Sequence, residues 1–340
     1  MNGINTAINR LLNDFGLKNF QLERIRAGRN SRVWCVYSDG KPSYIIKEYF
    51  RHPSDQRDRL ATEYAFLSFL CSQCLSTVPI PLAKDPEGDI ALYSYLPGIP
   101  VTNISSNYIH QAAQFILEIN QSSTRDLALP PASEACFSIA DHLFWVKQRL
   151  ERLQLSLESM SDSLTTTVRE FVNDTLCNAY EQIAHHIKSN FSTKDIENTL
   201  NLDQRILSPS DFGFHNILES EGQLFFLDFE YAGWDDPTKL LCDFGSQPQY
   251  PISSEQLREF ADYLQALPTV SQFWVRTQLL LPLHRLKWCC ILLNEFRVQD
   301  RQRRYHAGHD QPDQLIVQWD KAKNYFQQHL LKHSGGKPWL

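Results

Sequence analysis

Three oxygen-bearing side chains that could carry out group transfer lie close together in the chain. Asp211 and Asn216 sit in Ser208-Pro-Ser-Asp-Phe-Gly-Phe-His-Asn216, and Asp228 closes the apolar stretch Leu224-Phe-Phe-Leu-Asp228. One carboxylate can orient an attacking hydroxyl and accept its proton. An amide oxygen and a second carboxylate are hard donors suited to Mg2+ held against nucleotide phosphates. The order Asp, Asn, Asp therefore points to phosphoryl transfer.

Such a site needs a sizeable scaffold. The chain has 340 residues, 42% hydrophobic and 12% aromatic, enough to bury a large core divided between two lobes. The formal net charge of -6 argues against a general nucleic-acid binder, which needs a basic excess to neutralise phosphates. A polar small molecule is the expected partner. The start, Met1 to Thr6, has neither a basic segment nor an unbroken apolar run, so no secretory signal is expected. Val270 to Phe296 is the longest apolar region, and Arg276, Pro282, His284, Arg285 and Lys287 interrupt it. No membrane span is expected, and the cytoplasm is the expected compartment. Cys71-Ser-Gln-Cys74 lacks the second pair that a zinc site would need.

The spacing predicts strands first and helices afterwards. Leu22 to Ala27, Arg32 to Tyr37 and Ser43 to Tyr49 are short runs rich in β-branched and aromatic residues. Turn formers separate them at Gly28-Arg-Asn30 and Ser38-Asp-Gly-Lys-Pro42, which predicts an antiparallel meander. Ser54 to Leu70 carries helical spacing at Leu60, Tyr64, Leu67 and Leu70; Asp89 to Tyr95 returns as a strand; Pro97-Gly98 marks a boundary. Beyond it, Ile109 to Ile119 is striped with apolar residues, and Leu143, Val146, Leu150, Leu153 and Leu157 form one helix face. Val168, Val172, Leu176, Ile183 and Ile187 form another. Ser253 to Gln256 resembles a capping box before Leu257, Phe260 and Leu264; Leu315, Trp319, Ala322 and Phe326 mark a last helix. Leu224 to Phe229 is the one strand expected in this helical half, and Ser334 to Leu340 reads as a frayed end.

From about Leu22 to the last helix, the chain resembles the aminoglycoside phosphotransferase and choline kinase branch of the protein-kinase-like fold. The resemblance rests on Asp211 with Asn216, on Asp228-Phe-Glu230, on Asp236-Pro237 and on Asp243, in that order. It implies an α+β fold with an N-terminal nucleotide-binding lobe, 1–97, and a mainly helical lobe, 98–340. It also implies a cytoplasmic, Mg2+-dependent kinase that moves the γ-phosphate of ATP to a hydroxyl of a small acceptor, an amino sugar, sugar or amino alcohol. By the same resemblance Asp211 is the catalytic base, Asn216 and Asp228 are metal ligands, and Asp243 braces the catalytic loop through backbone hydrogen bonds.

On the nucleotide side, Gly28, Asn30 and Ser31 occupy the phosphate-covering turn. Lys47 is placed for the α and β phosphates, with Glu63 as its partner. The strand carrying Tyr93 and Tyr95 is placed to offer backbone groups to adenine. Glu230, Asp235 and Asp236 could make the acceptor side negative, favouring an amine-bearing alcohol, and Tyr231 and Trp234 could stack on a sugar or face a quaternary ammonium. The run Asp228-Phe-Glu-Tyr231 leans toward choline and ethanolamine kinases.

The chain also departs from the family. Pro209-Ser210 stands where His-Gly is common, His215 where a small residue is usual, and Asn120 where His is frequent. His215 reads as a hydrogen-bonded structural residue, and the basic stretch Arg297 to His309 as a solvated run. The altered approach to Asp211 keeps open a nucleotide-binding pseudokinase, and the fold alone leaves nucleotide transfer open too. A protein kinase is disfavoured, because Asp228 to Asp243 leaves little room for a long activation segment.

Overall fold

The computed structural model describes residues 2–25, 28, 30–53, 55–121, 129–267, 274–308 and 313–331. Ala27, Arg29, Ser54, Val270, His309 and the segment 334–340 lie outside them. The chain forms two compact units. One consists of Met1–Val101, Asn216–Ala232 and Gln302–Asp310, the other of Thr102–His215, Gly233–Arg301 and Gln311–Leu340. The first unit thus takes two segments from far beyond residue 98.

The first unit holds strands β1 Gln21–Ile25, β2 Arg32–Ser38, β3 Lys41–Glu48, β4 Pro81–Asp85 and β5 Ile90–Ser94, which form an antiparallel sheet in the order β1-β2-β3-β5-β4. Asp39 and Gly40 turn β2 into β3 with φ of 51° and 74°, the two-residue turn whose twist matches antiparallel strands. Helix α1, Asn2–Asp14, was not foreseen. It buries Ile8, Leu11 and Leu12 against Val36, Ile46, Ile90 and Leu92 of the sheet. Strand β4 was also missed, because Pro81 and Lys84 obscure its pattern.

Helix α2, Arg59–Ser72, begins one turn later than expected, where Asp58 accepts from the Ala61 N–H as N-cap. Its inner face carries Leu60, Glu63, Phe66, Leu67 and Leu70. Strand β6, Ile99–Pro100, pairs with β8, Ile217–Ser220, which pairs in turn with β9, Gln223–Phe226. Glu221 and Gly222, at φ of 52° and 82°, close that hairpin. The expected strand to Phe229 therefore ends early, and Asp228 lies past it in a left-handed conformation, φ +67°.

The second unit is mainly helical: α3 Ser106–Ile119, α4 Ile139–Glu158, α5 Ser163–Glu170, α6 Cys177–Asn190, α7 Thr193–Glu197, α8 Pro237–Phe244, α9 Ser254–Tyr263 and α10 Trp274–Leu292, with α12 Gln314–Phe326. Helix α11, Val298–Ala307, gives its last turns to the first unit. The predicted faces of α4 and of α5–α6 meet Leu280, Leu283, Leu286 and Cys289 of α10 in one core. Ser253 forms the expected capping box with Gln256. Strands β7, Ile206–Ser208, and β10, Gly233–Asp235, pair within this unit, so it is not free of strands. Among the described residues no helix is long and apolar enough to cross a membrane.

Candidate active site

In the first unit the site is built around one lysine. Lys47 on β3 donates to Glu63 Oε2 and to Asp228 Oδ1, each at 2.6 Å, and lies 3.3 Å from Glu230 Oε2. Glu63 is held from both sides: Oε2 accepts from Tyr49 Oη at 2.8 Å, and Oε1 from the Phe229 N–H at 3.2 Å. Phe66, one turn further along α2, stacks on Phe229 at 5.1 Å, so apolar packing sets the reach of these polar bonds.

Oxygen atoms of Glu63, Asp228 and Glu230 lie within 4.8 Å of one another around this ammonium. Partial burial, then Glu230 and Glu63, push the Asp228 carboxyl above the usual carboxylate range against the pull of Lys47. Against burial, Lys47 and Arg59 hold the Glu230 carboxyl below the usual carboxylate range. The cluster therefore carries more negative charge than its lysine offsets.

The hairpin β8–β9 brings the two expected metal ligands to its feet, where the Leu227 N–H donates to the Asn216 carbonyl at 2.9 Å. Asp228 keeps 31% of its side chain exposed. An all-oxygen donor set, an excess of carboxylate and an open edge fit Mg2+ rather than a softer ion.

The other nucleotide-side residues are placed differently from the expectation. Asn30 Nδ2 donates to Glu230 Oε1 at 3.1 Å and Ser31 Oγ to Glu230 Oε2 at 3.2 Å, so the turn at Gly28 is closed down on a carboxylate. Arg304 donates to Asn30 Oδ1 at 2.6 Å from α11. Tyr93 is buried with its hydroxyl 2.6 Å from Tyr49 Oη. The N–H groups of Ser94 and Tyr95 are taken by the carbonyls of Ile80 and Ser43, which removes them as donors to a base.

The Glu230 side chain is 0% exposed and cannot face an acceptor, since its carboxylate is consumed by Lys47, Asn30, Ser31 and the nearby Arg59. Tyr231 lies under the guanidiniums of Arg57 and Arg59, at 5.5 and 5.8 Å, rather than open to a quaternary ammonium. The basic stretch is likewise no solvated run: Arg303 and Arg304 are buried.

In the second unit, Asp211 follows β7. Asn120, at the end of α3, fixes that strand by donating to the Leu207 carbonyl at 2.9 Å and accepting the Leu207 N–H at 2.7 Å. The chain then turns sharply, with the Asp211 N–H on the Pro209 carbonyl at 2.9 Å. His215 Nε2 reaches Asp211 Oδ1 at 3.2 Å, so this histidine touches the carboxylate itself. Gly213 is needed beneath it, because a Cβ there would come within 2.9 Å of His215 Nδ1.

Asp235 and Asp236 are fully buried, which overturns the expectation of an acidic acceptor surface. Asp235 pairs with Lys239 at 2.7 Å, and Asp236 caps α8 while pairing with Arg276 and, at 3.1 Å, His142. Asp243 binds side chains, Lys287, His284 and Lys239, rather than the backbone of the catalytic loop. Trp234 lies on β10, its backbone N–H on the Pro130 carbonyl. Lys239 was not among the expected site residues, although its place four residues after Asp235, which ends β10, and four before Asp243, on its own helix α8, was a usable signal. Arg59 and Arg304 carried a similar spacing, each with an aspartate four residues earlier at Asp55 and Asp300, and Arg59 pairs with Asp55 at 2.5 Å.

Residues 21–280 match the phosphotransferase enzyme family, APH. No curated protein matches the chain. Among solved structures, the gentamicin complex of APH(2'')-IIa is similar with a TM-score of 0.62 at 17% identity, covering 93% of this chain and 95% of that one. Choline kinase LicA from Streptococcus pneumoniae gives 0.58 at 16% identity, covering 96% and 99%. An ethanolamine kinase from Plasmodium vivax gives 0.57 at 12% identity, covering 90% and 82%. At such identities the structures establish a shared kinase-like fold. The family match spans most of the sequence, and the chain therefore belongs to the phosphotransferase enzyme family, as a phosphotransferase acting on small molecules.

Proposed function

We propose that the protein transfers the γ-phosphate of ATP, with Mg2+, to a hydroxyl of a small acceptor. The observation that carries this reading is Lys47 bonded at 2.6 Å to both Glu63 and Asp228, a buried ammonium poised between an anchoring and a metal-binding carboxylate. Lys47 supplies N–H donors to nucleotide phosphates, and Glu63, fixed by Tyr49 and the Phe229 N–H, keeps the ammonium in place. Asn216 and Asp228 hold the cation. Mg2+, when bound, neutralises phosphate charge. Asp211 orients the acceptor hydroxyl and takes its proton, with His215 limiting the rotation of the carboxylate.

The burial of Glu230, Asp235 and Asp236 removes the acidic surface that would have selected an amine, so the acceptor class is the alcohol itself. An ADP-release screen over sugars, amino sugars, choline, ethanolamine and amino-acid alcohols tests the reading. Activity confined to choline and ethanolamine would narrow it to that subfamily, whereas release of AMP or pyrophosphate would replace it by nucleotide transfer. Asp211→Asn is expected to bind Mg-ATP nearly as the wild type does and to lose at least 100-fold in turnover. Asp228→Ala is expected to lose Mg-ATP affinity, and unchanged affinity would remove Asp228 from the metal site.

A further inference from the structure

Ser210, the residue before Asp211, adopts a backbone conformation that disfavours its own side chain. Its φ is +67°, in the left-handed region where a Cβ is penalised and glycine is not. A side chain kept at such a position needs a contact that offsets the strain. Ser210 has one, since its Oγ accepts a hydrogen bond from Lys239 Nζ at 3.2 Å.

Lys239 is only 4% exposed along its side chain, and its ammonium has three protons with three acceptors around it. These are Asp235 Oδ2 at 2.7 Å, Asp243 Oδ2 at 3.3 Å and Ser210 Oγ. Both carboxylates are themselves fixed. Asp235 accepts the N–H groups of Cys136 and Asp236, each at 2.9 Å, and Asp243 is paired with Lys287 and, at 2.8 Å, with His284. Helix α8, which carries Lys239, is set at its start by Pro237 and by Asp236, which caps the Thr238 N–H at 2.7 Å. The ammonium is therefore a fixed point in a buried ionic frame, and Ser210 is the piece of the catalytic loop attached to it.

We propose that Lys239 is a positioning residue for phosphoryl transfer: by gripping Ser210 it fixes the turn that aims the Asp211 carboxylate. The proposal rests on Asp211 being the base. It explains why the contact falls on residue 210, where a shift of the backbone turns the next side chain directly. A base displaced by a fraction of an ångström loses rate without losing nucleotide affinity.

The test compares wild type with Ser210→Ala, Ser210→Gly and Ser210→Asn. Alanine removes the acceptor and keeps the strain, glycine removes both, and asparagine tolerates a left-handed φ and restores an oxygen. Turnover measured by ADP release is expected to fall about tenfold in the alanine and glycine variants with KM for ATP unchanged, and to recover in part with asparagine. Amide hydrogen exchange of 208–214 is expected to quicken in the first two while α8 keeps its protection. Wild-type exchange in that loop for both variants overturns the grip, and quickened exchange with wild-type turnover overturns its positioning role. A rate loss that merely tracks a drop in Tm, without rescue by asparagine, also overturns it. A wild-type protein that releases no ADP with any acceptor sinks the kinase reading instead, and the exchange measurement still decides whether Lys239 holds the loop.

Discussion

Lys47 shows how a single charge organises the nucleotide side. It is the ammonium shared by Glu63, Asp228 and Glu230, and removing it leaves three neighbouring carboxylates with their mutual repulsion. Lys47→Met is expected to lower stability by roughly 3 kcal/mol in metal-free buffer, the lower part of the range for a broken buried pair because Asp228 is partly exposed. Millimolar Mg2+ should restore part of that loss, and urea titrations with and without the ion check both statements. A variant as stable as the wild type without Mg2+ would mean that the carboxylates are not held by Lys47. At this scale Lys47 and Glu63 were legible, because a lysine on the third strand and a glutamate on the next helix can be placed by order alone. Glu230 and Asp235 were not, since an acidic residue has the same sequence signature whether it meets solvent or a buried cation. Ser210 was legible only as a departure, and the left-handed φ that gives it meaning belongs to the fold.

Helix α11 carries the same lesson to the level of an element. Its polar sequence gives little apolar stripe, and so it read as a charged run. It is held instead by arginines on its last carbonyls: Arg24 donates to Ala307 O at 3.1 Å and Arg32 to His306 O at 2.7 Å. Gly308 ends it at φ +94°, where a Cβ would come within 2.8 Å of Arg24. His306 lies in this joint, and burial, then Arg32, push its imidazole down to about 4. The folded protein therefore keeps His306 neutral where the unfolded chain, titrating near 6.5, takes up a proton. Stability contributed by the neutral ring is complete above about pH 6.5 and is lost as the pH falls toward 4, by at most ~1.4 kcal/mol per pH unit. His306→Gln should flatten that part of the pH profile of unfolding. A profile with equal slope in both proteins would remove His306 as its source. The helices that were legible, α4 and α12 among them, are those whose stability comes from an apolar face.

For the whole chain, the N-terminal sheet shares its compact unit with segments distant in sequence. The first unit takes Asn216–Ala232 and Gln302–Asp310 from far along the sequence. The first of these segments supplies Phe229 for the stack on Phe66, Asp228 and Glu230 for Lys47, and the Phe226 N–H that bonds to the Thr77 carbonyl at 2.8 Å. No local periodicity reports such long-range membership, which is why a cut at Pro97-Gly98 looked sufficient. A fragment of residues 1–101 would expose the Phe66 face and leave Lys47 with Glu63 alone, forfeiting about 2 kcal/mol for an unburied phenylalanine besides the lost ion pairs. Against a typical domain stability of about 5–15 kcal/mol, losses of that size remove much of the margin. The fragment is expected to lack cooperative thermal unfolding and native amide dispersion. Joining 216–232 to it through a short Gly-Ser linker should restore both, because the β8–β9 hairpin brings its own turn and pairs with β6 inside the fragment. A 1–101 fragment that melts cooperatively by itself would show instead that the sheet and α2 hold together without the segment that carries Asp228.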